Sequence, residues 1–246
     1  QFFVSLEDDV MKAKPALDKY IEERKRIHKR KLKKLINMAQ TSGEESAVMG
    51  RKNALVYDKV IQRQRNMIYS TRNKLLEGEK LPLELIFNMA EGNVRRFLSE
   101  WKEIDQRSLN RYILDNISYR LDKMAAEISL EEQESLDQYL MGLVRQALVR
   151  QEEKIGNTER MNEFMRVAVL NAVDDAWVEQ VDYMQQLQAA VSGRSTAQRN
   201  VLFEYQDEAF ASFAEMKNIV YKNAMRNILL SDIFLDEEGR LHILFP

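Results

Sequence analysis

The sequence of 246 residues contains no cysteine, which excludes disulfides, thiol catalysis, iron–sulfur clusters and every zinc site that needs a thiolate. Glycine and proline are scarce, at 8 and 3 residues, whereas a sheet-rich fold with many tight turns needs more of both. The two histidines, His28 and His242, have no partners at metal-ligand spacing. No stretch approaches the ~18 consecutive apolar residues of a membrane-spanning helix.

Catalytic and nucleotide-binding motifs are missing as well. The 37 basic and 39 acidic residues leave a net charge of −2, so we expect no nucleic-acid partner. There is no glycine-rich phosphate loop and no dinucleotide fingerprint. The adjacent carboxylates Asp174 and Asp175 would point ~100° apart on a helix, so we expect them on a solvated face and not in a catalytic pair. We predict no catalytic residue and no metal site in this chain.

Apolar residues recur at helical spacing along most of the chain, which predicts an all-α fold. The longest pattern runs from about Ala16 to Glu77, with a candidate break at Ser42 and Gly43, because glycine costs ~1 kcal/mol inside a helix. Without that break the helix would extend ~90 Å at 1.5 Å per residue. We therefore expect a spine helix against which separate bodies pack.

A basic run lies near the start of this predicted spine. Eight of the eleven residues from Arg24 to Lys34 are lysine or arginine. The simpler interpretation is a solvated helix face. The alternative is an electrostatic contact with anionic lipid or an acidic partner.

Shorter helices are predicted after Pro82. One ends near Trp101, the next covers residues 109–127, and a third follows a capping-box pattern formed by Ser129 and Glu132. The run Gly156-Asn157-Thr158 predicts a turn. These helices are consistent with a small helical domain.

The last third of the chain predicts an antiparallel helical hairpin. Helical patterns over residues 159–191 and 202–230 flank a short polar loop, and two long helices around a short loop fold back on each other. Two hydrophobic runs around an acidic turn then predict a small β-hairpin in residues 231–246. Residues 1–6 are also β-permissive.

Three segments carry recognisable motifs: residues 2–8, residues 39–76 with Tyr57, Asp58, Gln64 and Arg65, and residues 164–216 with Trp177 and Tyr205. Together they resemble the C-terminal half of SecA, the ATP-driven motor of bacterial preprotein export. Residues 2–8 resemble the last strand of its second motor lobe. Residues 39–76 resemble the long helix of its helical scaffold domain, although Lys59 stands where the family usually has aspartate. Residues 164–216 resemble its two-helix finger. The matching residues include Tyr57, Asp58, Val60, Gln64, Arg65, Ile68, Tyr69, Arg72, Asn73, Phe164, Trp177, Glu179, Met184, Leu187, Tyr205, Phe210 and Phe213.

The resemblance implies a domain order, and because the first methionine is Met11 we expect the chain to begin inside a longer protein. The missing cysteine zinc tail and an altered fingertip point to the accessory SecA paralogue of Gram-positive bacteria. The implied domains are the tail of the second motor lobe (1–11), the scaffold helix (12–80), the helical wing (81–158), the finger with the return scaffold helix (159–230) and the C-terminal tail (231–246).

The resemblance also implies functional residues. The fingertip would contact the preprotein, although threonine replaces the family's usual fingertip tyrosine. A second group in the spine would contact the motor lobes, with Tyr69 alternatively an ordinary core residue. The implied fingertip residues are Arg194, Ser195, Thr196, Ala197 and Gln198, and the implied coupling residues are Gln64, Arg65, Tyr69 and Arg72.

The implied partners are a SecY-type channel, a preprotein and the protein's own motor lobes, at the cytoplasmic face of the cell membrane. ATP and Mg²⁺ would belong to the motor lobes, so we expect no cofactor and no ATP hydrolysis in this chain alone. The alternative function is a structural helical scaffold or adaptor without a transport role.

Overall fold

The computed structural model describes residues 29–78, 80–100, 104–121, 130, 132–193, 201–238 and 240–246. These residues are mainly helical, which confirms the predicted all-α fold. The predicted N-terminal strand and the first residues of the basic run lie outside them. The elements are α1 (Lys29–Leu76), α2 (Leu83–Glu100), α3 (Gln106–Asn116), α4 (Gln133–Ile155), α5 (Thr158–Gly193), α6 (Val201–Leu230), β1 (Asp232–Leu235) and β2 (Leu241–Leu244).

Contacts divide the chain into two compact units, residues 1–60 and 61–246. In the first unit, α1 continues through Ser42 and Gly43, so the candidate break is not present. The flanking residues are mostly good helix formers, and their combined propensity outweighs the ~1 kcal/mol cost of one glycine. Arg30, Lys33 and Lys34 are exposed, as expected for a solvated face.

The core of the second unit lies where α2, α3 and α4 pack with α5 and α6. In α2 the buried residues Ile86, Met89 and Ala90 recur at three- and four-residue spacing, as an amphipathic helix requires. Phe97 of α2 stacks on Tyr112 of α3, with ring centroids 4.0 Å apart. This aromatic pair joins the two helices at the edge of the core.

Helix α3 is shorter than predicted. It begins after Asp105, whose carboxylate accepts a hydrogen bond from the Ser108 backbone N–H at 2.8 Å, a side-chain cap that helix starts favour. It ends at Asn116, and not near residue 127. Tyr119 and Leu121 continue the apolar spacing beyond this end, but both are exposed. The spacing therefore persists without a buried face.

The predicted capping box ahead of α4 was wrong. Glu132 itself occupies the N-cap position, and its side chain makes no hydrogen bond to the helix backbone. Its carboxylate instead accepts a bond from the Ser135 hydroxyl at 2.9 Å. Ser129 lies outside the described residues. The helix therefore begins later than the pattern indicated.

The turn between α4 and α5 is confirmed. Gly156 adopts a left-handed conformation with φ of +62°, and its N–H donates to the Glu152 carbonyl at 2.8 Å, so glycine closes α4 in the usual way. The Asn157 side chain accepts hydrogen bonds from the N–H groups of Glu159 and Arg160, at 2.8 and 3.0 Å. This turn directs α5 back along the core.

Helices α5 and α6 form the predicted antiparallel hairpin. The Asn227 amide of α6 donates to the Ala168 carbonyl and the Asn171 side chain of α5, at 3.1 and 3.0 Å. Nearer the loop, Gln180 of α5 donates to Ser212 of α6 at 3.0 Å. Residue numbers increase along one helix as they decrease along the other, so the two helices run in opposite directions.

The predicted C-terminal β-hairpin is also present, with Ile233 opposite Ile243 in an antiparallel register. At its turn the Asp236 carboxylate lies 3.0 Å from the His242 Nε2 and accepts a bond from the Arg240 Nε at 2.7 Å. The His242 bond and then the Arg240 bond hold the pKa of Asp236 well below its ordinary value. Because this folded-state pKa is depressed, the contribution of Asp236 to stability is present above its unfolded pKa and is lost in acid.

Candidate functional site

Residues 61–76 of α1 carry the four predicted coupling residues. Gln64 meets Gln180 and Arg72 meets Asp174, so this part of α1 lies antiparallel to α5. Gln64, Tyr69 and Arg72 contact the α5–α6 hairpin.

A buried hydrogen-bond network surrounds Gln64. Its side-chain amide donates to the Ala209 carbonyl of α6 at 2.9 Å. Its side-chain oxygen accepts from Gln180 of α5 at 3.0 Å. The same Gln180 nitrogen donates to the Ser212 hydroxyl, which in turn donates to the Ala209 carbonyl at 3.1 Å. Gln64 and Gln180 are only 4% and 5% exposed, and buried amides require such partners.

Two turns along α1, Arg72 forms a forked ion pair with Asp174. The Arg72 Nε and Nη2 donate to the two carboxylate oxygens at 2.7 and 3.0 Å. This planar geometry gives directional strength that a single contact lacks. The hydrogen bond with Asp174, and then its charge, raise the pKa of Arg72. Both side chains are partly exposed, so salt will weaken the attraction.

Tyr69 lies between these two polar contacts. Its ring meets the Trp177 ring edge to face, with centroids 6.4 Å apart and planes at 77°. The guanidinium carbons of Arg65 and Arg72 lie 4.8 and 5.7 Å from its centroid, within the range of cation–π attraction. Tyr69 is half-buried against the chain's own hairpin, whereas Arg65 is exposed, and whether Tyr69 is a coupling residue or an ordinary core residue stays open.

Sequence reasoning missed three members of this site. The Asp174 side chain is 48% exposed, in keeping with the expected solvated face, but it also pairs with Arg72, a contact that the sequence did not indicate. Gln180 and Ser212 were not singled out at all. The signal was available in part, since Asp174, Trp177 and Gln180 follow one another at three-residue spacing and therefore share one side of α5.

The five predicted fingertip residues, Arg194, Ser195, Thr196, Ala197 and Gln198, lie outside the described residues, and their role stays a prediction. The described helices reach Gly193 on one side and resume at Val201. Near this end the hairpin is well packed, with Val191 and Tyr205 fully buried. The two helices therefore pack closely as far as Val191 and Tyr205.

A cavity of about 410 Å³ lies where α2 and α3 meet α6. At its rim Arg96 pairs with Glu100 and Glu215, at 2.8 and 2.7 Å, and the bond from Arg96 lowers the pKa of Glu215. Burial raises the pKa of Tyr112 on the wall. The lining also contains Arg111, Lys222 and Asp115, so its three cations and three carboxylates balance and favour no charged ligand.

Among the described residues, no group of three or more His, Cys, Asp or Glu side chains could hold a metal ion. No described helix is long and apolar enough to cross a membrane. The sequence also lacks a glycine-rich phosphate loop. The expectation that this chain binds no cofactor stays a prediction.

The sequence was compared with models of known protein families. The family that matches is described in terms that fit a long helix, a small helical body and a helical hairpin. Residues 26–232 match the family model described as the SecA wing and scaffold domain. The chain belongs to the SecA family. Its predicted membership is thereby confirmed.

Alignments with individual relatives cover the full length of this SecA chain. It is 34% identical to protein translocase subunit SecA 2 of Streptococcus agalactiae, over 100% of this chain and 32% of that protein. It is 31% identical to SecA 2 of Streptococcus sanguinis, and 30% identical to SecA 2 of Pediococcus pentosaceus, again over 100% of this chain and over 32% and 33% of those proteins. The chain spans about a third of the length of these relatives. Their shared name confirms the prediction of the accessory paralogue.

Proposed function

We propose that this chain is the coupling and preprotein-engaging part of a SecA-type protein translocase. The observation that carries the proposal is the docking of residues 61–76 of α1 on the α5–α6 hairpin. Gln64 forms hydrogen bonds with both hairpin helices, and Arg72 pairs with Asp174 of α5. A displacement of the hairpin would therefore act on α1.

A helix suits this task because its backbone hydrogen bonds are internal and it transmits displacement along its axis. Exposed Arg65, and the exposed edges of Tyr69 and Arg72, would contact motor lobes contributed by the rest of the full-length protein. ATP and Mg²⁺ would bind between those lobes, and the residues of this chain would bind neither.

The hairpin would carry the fingertip, Arg194 to Gln198, to a SecY-type channel and to the preprotein. Loops on rigid elements often carry function, and a polar tip suits contact with an unfolded chain in a wet channel. The protein would act at the cytoplasmic face of the membrane. There the exposed Arg30, Lys33 and Lys34 would be attracted to anionic lipid, at ~1 kcal/mol per residue near the surface.

Fingertip substitutions test this proposal. In the full-length protein, Arg194→Ala and Gln198→Ala should reduce transport of preprotein into channel-containing vesicles severalfold. Nucleotide affinity should change by less than about twofold, because these residues would touch the transported chain and not ATP. Gln185→Ala, an exposed change on α5, is the control. Equal losses of transport and nucleotide binding would contradict a tip role and favour the scaffold alternative.

A further inference from the structure

We propose that Gln180 and Ser212 are positioning residues that fix the register of α1 against the α5–α6 hairpin through the buried amide of Gln64. The inference rests on the proposed coupling function, because it concerns how movement of the hairpin reaches α1. It adds two residues that the family resemblance did not single out.

The network joins three helices at one point. Gln64 belongs to α1, Gln180 to α5, and Ser212 with the Ala209 carbonyl to α6. Gln180 donates to the Gln64 side-chain oxygen, so it links the outer helix to α5 of the hairpin. The position of Gln64 therefore depends on both hairpin helices at once.

Buried apolar groups adjoin the network. The Met184 sulfur lies 3.9 Å from the Ser212 hydroxyl, and both Met184 and Ala209 are almost completely buried. Apolar contacts are non-directional, so they tolerate a small sliding movement of α1. The amides do not, because a shift of one residue moves a side chain by 1.5 Å along the helix and ~100° around it. Such a shift would break both bonds of the Gln64 amide and leave it without partners in a place closed to water, which is strongly disfavoured.

A double substitution distinguishes a role in fixing the register of α1 from a role in stability alone. Gln180→Leu alone leaves the Gln64 oxygen without its buried partner, so it should destabilise. Gln64→Leu with Gln180→Leu removes both amides, while the Ser212 hydroxyl still donates to the Ala209 carbonyl. Replacing both partners by apolar groups is often nearly neutral. The double variant should then regain stability, but α1 should no longer be held in a single register against the hairpin. Single polar residues in helix interfaces act in this way, because they fix the register at a cost in stability.

The test uses the full-length protein with spin labels on cysteines introduced at exposed positions Arg63 and Glu179, in a background without other cysteines. Pulsed electron paramagnetic resonance measures the distance distribution between them. The unsubstituted protein, and the exposed control Gln186→Leu, should give one narrow distance. Gln180→Leu and the double variant should give a broadened or split distribution, although the double variant unfolds at nearly the unsubstituted denaturant concentration.

The second readout is the ratio of preprotein-stimulated to basal ATPase, measured with channel-containing vesicles. We expect this ratio to fall roughly fivefold in both variants, in the lower range of coupling between sites, and to stay unchanged in Gln186→Leu. If Gln180→Leu does not fold, Ser212→Ala, which removes one acceptor of the same Gln180 nitrogen, should broaden the distance distribution instead.

A double variant with one narrow distance would overturn the register role, whatever its ATPase ratio. A broadened distance with a normal ratio would overturn the link between register and coupling. Either result leaves the fingertip experiment unaffected, so failure of this inference is distinguishable from failure of the proposed function.

Discussion

Replacing Phe164 by alanine should lower the free energy of unfolding of this chain by about 3–5 kcal/mol, the usual cost of truncating a buried phenylalanine. Phe164 lies on α5, is 0% exposed and belongs to the main apolar cluster of the second unit. The large effect has two sources, the lost burial of the ring and the cavity that close-packed neighbours cannot fill. Denaturant titration followed by circular dichroism measures it.

Phe210→Ala is the matched control. This phenylalanine lies on α6 and is 75% exposed, so its removal should change the free energy of unfolding by no more than ~0.5 kcal/mol. Similar losses for the two variants would mean that α5 and α6 do not face the core as described.

Reversing the charge of Arg72 should release residues 61–76 of α1 from α5. Arg72→Glu replaces two hydrogen bonds to Asp174 by repulsion between two carboxylates. Local opening of this segment would become more frequent, and its backbone amides should exchange with solvent roughly tenfold faster. Hydrogen–deuterium exchange with mass spectrometry measures this directly, peptide by peptide.

The charge swap Arg72→Asp with Asp174→Arg should restore slow exchange, because it recreates an ion pair across the same two helices. Arg63→Glu makes the same change of charge at an exposed position on α1 and should leave exchange unchanged. Fast exchange in the swapped variant, or an effect of Arg63→Glu as large as that of Arg72→Glu, would contradict the ion pair as the cause.

The spacing of apolar residues and the turn motifs were sufficient to predict the order of the described helices, the turn at Gly156 and the C-terminal β-hairpin. The spacing was insufficient where an apolar residue keeps it without being buried, as Leu121 does beyond α3. Sequence reasoning also gave too much weight to a single glycine at Gly43, where the flanking helix formers keep the helix continuous.

The candidate site was predictable only in part. The resemblance supplied Gln64, Tyr69 and Arg72, but not their partners on the hairpin. Gln180 and Asp174 are separated from those residues by about one hundred positions, and spacing along the chain carries no information about which polar side chains meet across that distance. The energetic contribution of each polar contact depends on how deeply it is buried, and burial follows from the tertiary packing of the helices.

The most direct test of the central claim is site-specific cross-linking from position 196 in the full-length protein. A photo-reactive amino acid replacing Thr196 should cross-link to preprotein and to the channel during ATP-driven transport in vesicles. The same amino acid at Glu153, an exposed position on α4, should give neither product. Absence of both products from position 196, or equal yields from the two positions, would contradict the account of this chain as the part of the translocase that engages its substrate.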